Sequence, residues 1–501
     1  MCPDTIPAHQ YYLSEVAPDT IPPGYTLRQL DGWCLCLDAD FTILPVVAGG
    51  NQVGIVFGTI LDIAGTTTDG VVRLDTDGSG DELLSRFESA LRHLFGRYVG
   101  IVIVNGESRV YPDAAGTIPV FYDAQDGIVA ASPMAMPEVD HTSRFRESLF
   151  DALKRPLVSR GENIWVPGEL TYYSGISQLL PNHYLDLDTL EATRFWPENN
   201  ELTGASNSSA EIETIIDTLD RIFAAVVDCY ENPTMGLTAG KDSRSLVATA
   251  RKWVTNRDIS IFTLGENDRD VDRHVAKRLT RKHGLKWTPL PITEASAAEQ
   301  RHWLKRTGYT VGSGIKETYP SMHALDTDAE IGGIGGEIGR GYLWKESDDR
   351  DTHIGPSDLL FRWHKPEHPE LVTALEQWLE GVEQFDTYTT LDLAHQEHRL
   401  GCWGGPQHLG FRAEVDHIRP FLYRPIVESA YRLGPDIQRT DGLPLQIVER
   451  RWPELAEFPY NSFTDWKKFW APIEDNAATI KSAVIHPDTA LDYLTRKYRF
   501  S

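Results

Sequence analysis

Short apolar runs separated by turn residues fill the chain from about residue 24 to residue 134. Such runs begin at Trp33, Gln52, Tyr98 and Val120, and Gly, Asp and Asn lie between them. Runs of this length, bounded by turn residues, predict β-strands. One segment, Asp81–Leu94, instead repeats its apolar residues with helical spacing. The pattern therefore predicts a layered β-sheet domain with one amphipathic helix packed on it.

The pattern changes after a polar stretch rich in Asn, Ser and Gly, which we interpret as a linker at residues 197–210. It separates a predicted domain of residues 1–196 from a second one of residues 211–501. In the second domain, strands that begin at Thr234 and Ile259 alternate with amphipathic helices. This alternation predicts a doubly wound parallel sheet, which binds ligands at the carboxyl ends of its strands. The remainder of the chain is predicted to be mainly helical.

Charge and cysteine content narrow the classes of partner and compartment. The chain has 73 acidic and 48 basic residues, a formal net charge of -25, which would repel nucleic acid and anionic membrane surfaces. Its five cysteines are an odd number and include no Cys-x-x-Cys pair, so they indicate neither a disulfide framework nor a zinc site. We find neither a signal-peptide pattern nor an apolar run long enough to span a bilayer. These features predict a soluble cytoplasmic protein.

The most informative stretch is the loop at residues 236–244, which joins a predicted strand to a predicted helix through small residues. Backbone N–H groups at such a helix N-terminus can bind a phosphate. Asp242 is then a candidate Mg²⁺ ligand, and Ser243 a hydrogen-bond donor. The spacing does not fit a Walker A loop, which disfavours kinase chemistry. The alternative interpretation is a turn in which Asp242 and Ser243 only cap the helix.

This loop resembles the pyrophosphate loop, Ser-Gly-Gly-x-Asp-Ser, of ATP pyrophosphatases. The order of the segments around it is similar to that of the asparagine synthetase family, which includes β-lactam synthetases and lasso-peptide cyclases. Two positions depart from the motif, Thr238 in place of Ser and Ala239 in place of Gly. The resemblance implies an adenine nucleotide α-hydrolase-like fold. It also implies that pyrophosphate binds to Thr238, Ala239, Gly240, Lys241, Asp242 and Ser243.

Two later segments also resemble this family. The strand at residues 261–265 is similar to the family's second nucleotide-binding segment. This resemblance implies that adenine lies against Leu237, Thr263 and Leu264. The glycine-rich segment at residues 331–342 is similar to the family's Gly-Glu-Gly-Ser-Asp-Glu segment and implies Glu337 as the second Mg²⁺ ligand, with Gly335 beside the nucleotide. The alternative for Glu337 is a glutamate in a surface turn.

Candidate residues for proton transfer and for neutralising phosphate charge come from looser resemblances. The segment at residues 394–404 resembles a helix that carries a catalytic glutamate in β-lactam synthetases, which makes Glu397 a candidate to orient or deprotonate the amine. A solvated helix glutamate is the alternative. Lys467 or Lys468 is a candidate cation for the phosphates, with two solvent-facing lysines as the alternative. Ile334 stands where related enzymes hold a catalytic Glu or Tyr.

The first domain resembles a glutaminase domain of the N-terminal-nucleophile hydrolase type. Cys2 lies where that nucleophile is expected, but Pro3 follows it, and Phe57-Gly-Thr replaces the Asn-Gly-Glu of the family. We also find no Arg-His-Arg-Gly segment for the substrate carboxylate. The sequence therefore predicts a degenerate domain without glutaminase activity, and an active Cys2 is the alternative.

Taken together, the motifs predict a synthetase that uses ATP and Mg²⁺ to activate a carboxylate as its acyl-adenylate for attack by an amine or ammonia. The acid is a small molecule or a peptide, and the resemblance leaves a homodimer possible. Two alternatives remain, a glutamine-hydrolysing asparagine synthetase that uses Cys2 and a non-catalytic nucleotide-binding scaffold. The net charge of -25 and the missing cysteine pair argue against a thiolation enzyme that acts on transfer RNA.

Overall fold

A computed structural model of the protein describes residues 9–74, 80–137, 139–154, 164–198, 202, 207–266, 270–312 and 314–463. Cys2 lies outside these residues, so the absence of glutaminase activity stays a prediction. Within them the chain forms a mixed α/β structure with several sheets, one of which is parallel. No helix of the described part has the length and apolar character needed to cross a membrane.

Two antiparallel sheets make up most of the N-terminal region. Their strands, together with the short strand β12, are β1 (Tyr11–Ser14), β2 (Tyr25–Leu30), β3 (Trp33–Asp38), β4 (Thr42–Ala48), β5 (Asn51–Leu61), β6 (Thr67–Thr68), β7 (Val71–Leu74), β8 (Phe95–Val104), β9 (Glu107–Pro112), β10 (Phe121–Asp123), β11 (Ile128–Ala130), β12 (Ile164–Trp165), β13 (Ile176–Gln178), β14 (His183–Asp186) and β15 (Ala192–Arg194). The order is β13-β10-β11-β1-β3-β2 in the first sheet and β15-β14-β9-β8-β5-β4-β7-β6 in the second, where β4 and β7 alone pair in parallel.

A helix covers the second sheet, as the sequence predicts. Helix α1 (Gly80–His93) buries its apolar face, including Phe87 and Leu91, against β4, β5 and β8. Gly100 of β8 permits this close approach, since a Cβ atom there would lie 3.0 Å from the ring of Phe87. The opposite face of the same sheet packs on the first sheet through a separate apolar core. The predicted layered arrangement with one amphipathic helix is confirmed.

The second region begins with helix α3 (Ser208–Cys229), which Asn207 caps by accepting hydrogen bonds from two backbone N–H groups. A five-stranded sheet follows, with the order β18-β17-β16-β20-β21 and every neighbouring pair parallel. Its strands are β16 (Pro233–Gly236), β17 (Ser260–Leu264), β18 (Trp287–Leu290), β20 (Ala329–Ile331) and β21 (Asp416–Ile418). The predicted parallel sheet is thereby confirmed.

Helices dominate the rest of the described chain, in agreement with the sequence. The α-helices other than α1 and α3 are α2 (Glu147–Leu153), α4 (Lys241–Thr249), α5 (Arg251–Asn256), α6 (Val271–His283), α7 (Ala297–Arg306), α8 (Ile315–Thr318), α9 (Pro356–Arg362), α10 (Pro369–Glu380), α11 (Thr387–Ala394), α12 (Gly405–His408), α13 (Arg424–Tyr431), α14 (Pro435–Gln438) and α15 (Gly442–Arg451). A π-helix, His395–Gly404, continues directly from α11.

Direct contacts, in addition to the connecting chain, join the N-terminal region to the second region. Strand β12 pairs with β19 (Val311–Gly312), and Thr59 Oγ1 donates a hydrogen bond of 2.7 Å to Asp416 Oδ1. The largest apolar cluster also contains residues of both regions. The boundary at residues 197–210 stays a prediction.

Glu397 lies at the contact between the two regions, buried with no exposed surface. Its carboxylate accepts two hydrogen bonds from Arg194, at 2.5 and 2.8 Å, one from Asn182 Nδ2 at 2.7 Å and one from Trp378 Nε1 at 2.7 Å. Burial raises the pKa of this carboxyl, but the charge and hydrogen bonds of Arg194 outweigh that effect, and the pKa falls to about 2. Both oxygens of Glu397 are thus engaged in a buried ion pair, and its role in orienting or deprotonating an amine stays a prediction.

We expect Glu397→Gln to lower the free energy of unfolding by about 3–5 kcal/mol at pH 7, because Arg194 is left buried without a counter-charge. A glutamate whose pKa is depressed on folding stabilises the protein fully above its unfolded pKa of about 4.3, and this contribution is lost as the pH falls further. Denaturant unfolding of wild type and variant should thus show a smaller difference in unfolding free energy at pH 3 than at pH 7, with part of it remaining because the folded pKa is about 2. Glu370→Gln, which removes an exposed partner of Arg146, is the matched control and should cost less than about 1 kcal/mol. Equal losses in the two variants would contradict this account.

Candidate active site

The loop between β16 and α4 is held in shape by its own hydroxyl groups. Thr238 N donates to Ser243 Oγ at 3.0 Å, the two hydroxyl oxygens lie 2.8 Å apart, and Gly240 N donates to Thr238 Oγ1 at 3.1 Å. Ala239 N donates to Asp272 Oδ1 at 2.7 Å. Gly240 is the N-cap of α4, so the loop ends where the helix presents its unpaired N–H groups.

The glycine-rich segment that follows β20 crosses directly over this loop. A Cβ atom on Gly336 would lie 2.8 Å from Asp242 Cγ, and one on Gly333 would lie 3.1 Å from Ser243 N. Gly335 has φ +93°, and a Cβ atom there would lie 2.3 Å from Leu422 Cδ2. A methyl group at Gly336 would thus displace the Asp242 side chain, and one at Gly333 would press on the backbone at Ser243.

This contact brings the two predicted acids together. Burial and then the negative charge of Glu337 raise the pKa of Asp242 to about 7. Gly335 N donates to Glu337 Oε2 at 2.9 Å, which holds that side chain against its own segment. Asp242 and Glu337, 95 positions apart in the chain, therefore share one electrostatic environment.

Cations lie among these acids. Arg340 Nη2 pairs with Asp242 Oδ2 at 2.8 Å, and its Nη1 reaches Asp441 Oδ1 at 3.3 Å. Lys241 pairs with the other oxygen of Asp441. The charge of Arg340 partly opposes the rise in the pKa of Asp242. The arrangement alternates positive and negative groups at the carboxyl edge of the parallel sheet.

The donor set suits magnesium shared with a polyphosphate better than a metal held by protein alone. Across the described ranges, no group of three or more His, Cys, Asp or Glu side chains is placed to hold a metal ion. Mg²⁺ commonly binds one or two carboxylates and completes its shell with phosphate oxygens and water. Asp242 Oδ1 is buried without a hydrogen-bond partner, and Glu337 lies nearby. Asp242 and Glu337 would hold such an ion.

The residues predicted to flank adenine fall on two faces of the sheet. Thr263 Oγ1 donates to the carbonyl of Leu237 at 2.7 Å and accepts from Trp287 Nε1 at 3.1 Å, so its hydroxyl ties β17 to the chain after β16. The side chains of Leu237 and Thr263 are buried. Leu264 lies on the other face and lines a largely apolar cavity of about 240 Å³. The adenine contacts of these three residues stay predictions.

Several site residues were not identified from the sequence. Arg340 stands inside the glycine-rich segment, and Asp441 precedes Gly442 in a turn with φ +53°. The Asp441-Gly442 pair is a turn signal, but it does not reveal that the turn reaches Lys241 and Arg340. Lys467 and Lys468 lie outside the described residues, so their role stays a prediction.

Comparison with known proteins adds little to this geometry. No protein-family model matches the chain, and no curated protein is significantly similar to it. Among solved structures, the chain is similar to the U34-tRNA thiolase NcsA from Methanococcus maripaludis, solved with its 4Fe-4S cluster. The identity is 13%, the match covers 57% of this chain and 79% of the thiolase, and the TM-score is 0.21. A likeness this low carries no conclusion about activity.

Proposed function

We propose that the protein is an ATP-dependent carbon–nitrogen ligase, related to the asparagine synthetase family, that activates a carboxylate as its acyl-adenylate. The observation that carries the proposal is the contact between the loop after β16 and the segment that bears Glu337. This contact gives Asp242 and Glu337 one shared position at the carboxyl edge of a parallel sheet. Ligands of open parallel sheets bind at this edge.

The residues of the loop have distinct roles in this proposal. The helix N-terminus at Gly240 and the hydroxyl of Ser243 bind the outer phosphates, and the chain's own cations, Lys241 and Arg340, oppose their charge. Magnesium held by Asp242 and Glu337 would supply further charge neutralisation on the phosphate oxygens. The apolar cavity beside Leu264 suits the flat face of adenine.

The reaction that we propose has two balanced steps. A carboxylate oxygen of the substrate acid attacks the α-phosphorus, the bond to the bridging oxygen breaks, and pyrophosphate leaves with the electron pair. The nitrogen of an amine or of ammonia then attacks the acyl carbon, AMP leaves, and the nitrogen loses a proton. The acid is a small molecule or a peptide. Glu397 is engaged with Arg194, and its role toward that proton stays a prediction.

The substitution Asp242→Asn should reduce carboxylate-dependent ATP–pyrophosphate exchange at least about 100-fold, because a carboxamide is a poor magnesium ligand and carries no charge. The exchange is measured with a library of carboxylic acids. The free energy of unfolding should not fall, because burial and Glu337 already disfavour the charged form of Asp242. Asp351→Asn, in an exposed turn, is the matched control and should retain the wild-type rate. Near-normal exchange in the Asp242 variant would refute the assignment, and ATP binding without exchange for any acid would favour a scaffold.

The substitution Gly336→Ala should weaken binding of ATP·Mg²⁺ at least about tenfold, because the added methyl group would lie 2.8 Å from Asp242 Cγ and displace that carboxylate. Titration calorimetry measures the affinity. The control is Gly355→Ala, at the N-cap of α9, where nothing lies within 4 Å of the added atom and φ is negative. If both variants bind like wild type, contact between the loop and the segment does not form the site.

A further inference from the structure

His395, the first residue of the π-helix, is a buried polar group without a partner. The residue is 3% exposed, and neither nitrogen of its imidazole ring makes a hydrogen bond. Buried polar atoms are nearly always hydrogen-bonded, so an imidazole with two unpaired nitrogens needs an explanation. π-Helical turns are frequent at functional sites.

The ring lies beside the glycine-rich segment that carries Glu337. The ring of Tyr342, at the end of that segment, is 4.7 Å from the ring of His395 and is itself 54% exposed. The charges that act on the imidazole come from Arg399 and Arg340. Burial, followed by these two charges, lowers the pKa of His395 to about 3, so the imidazole is neutral at pH 7.

Arg399 is a second group in need of a partner. It follows His395 by four positions on the same helix, and its Nη1 is buried without a hydrogen bond. Its guanidinium lies 3.4 Å from the ring centroid of Trp403, and no ion pair recorded among the described residues includes it. The acid that acts on it electrostatically is Glu337. A poorly hydrated guanidinium without a counter-ion is costly unless an anion joins it.

The helix that presents both groups is held firmly. Glu397, which lies between them in sequence, is fixed by Arg194, Asn182 and Trp378. His395 and Arg399 are therefore presented from a positioned helix and do not depend on a surface loop.

We infer that Arg399 and His395, covered by the ring of Tyr342, form the pocket that binds the carboxylate of the substrate acid. A planar guanidinium donates to both oxygens of a carboxylate, and an imidazole N–H supplies a further donor. The anion would form an ion pair with Arg399 and accept a hydrogen bond from the ring of His395. Adjacency to Glu337 brings the bound acid next to the proposed phosphate site. The assignment to the reacting acid rests on the proposed function, whereas carboxylate binding itself does not.

The test is nuclear magnetic resonance of the ¹⁵N-histidine-labelled full-length protein, titrated between pH 4 and pH 8 without nucleotide. His395→Asn identifies the His395 signals by their loss. The probes are acetate, succinate, L-glutamate and, separately, pyrophosphate. An anion beside the ring favours its protonated form, so at least one carboxylate should raise the pKa of His395 from about 3 by roughly two units or more, which brings its titration into the measured pH range.

Variants of Arg399 separate pocket binding from general effects of anions. Arg399→Gln should abolish the shift, and Arg399→Lys should retain part of it. Arg439→Gln, which removes an exposed arginine near Trp344, should leave the shift unchanged. The thermal midpoint of each variant checks that it folds. The inference is overturned if no carboxylate moves the His395 signals, if the shift survives in a folded Arg399→Gln variant, or if pyrophosphate alone produces it.

Failure of the proposed function gives a different result. If wild-type protein binds no ATP·Mg²⁺ in calorimetry but a carboxylate still shifts His395 through Arg399, the pocket stands and only its link to adenylation falls. If ATP binds and ATP–pyrophosphate exchange occurs while no carboxylate changes the His395 signals, the proposed adenylation stands and the carboxylate pocket is refuted.

Discussion

The structure depends on one close backbone approach, that of the glycine-rich segment to the loop before α4. A Cβ atom at Gly336 would come within 2.8 Å of Asp242 Cγ and force that side chain to move. The approach takes Glu337 from the end of one strand to the loop of its neighbour, and the parallel sheet fixes how far apart those two strand ends lie. Interiors are packed too densely to absorb even one methyl group at such a contact without displacement.

The spacing of apolar residues and the turn residues between them were sufficient to predict the main helices and sheets. Helices α1 and α3 were predicted from apolar spacing, and the parallel sheet from alternation of strands and helices. The neighbourhood of Asp242 and Glu337 was expected from a resemblance in two short motifs. The burial of Glu397 could not be predicted, because a helical pattern cannot reveal that Asn182 and Arg194, about 200 residues away, meet it in a buried contact. The side-chain directions of Leu237 and Thr263 could not be predicted either, because the loop motif does not say which sheet face a side chain joins.

The distribution of charge inside the protein differs from its overall balance. The formal net charge is -25, yet Arg194, Arg340 and Arg419 each pair with a carboxylate that is largely or fully buried. Arg419 pairs with Glu330 at 2.6 Å beside the apolar cavity. Burial raises the pKa of Glu330, but Arg419 and His417 outweigh this effect and lower it to about 2. Arg194, Arg340 and Arg419 each have a carboxylate partner, whereas Arg399 forms no ion pair with any described residue, and the carboxylate pocket rests on this difference.

The bridge from Arg340 to Asp242 and Asp441 places a cation among the acids of this contact. The guanidinium screens carboxylates that would otherwise repel one another, which helps to keep the glycine-rich segment against the loop. In the proposed function, a metal held by Asp242 and Glu337 would take the place of the guanidinium beside Asp242. Arg340 would then be available to the phosphate oxygens, and the local charge would change little.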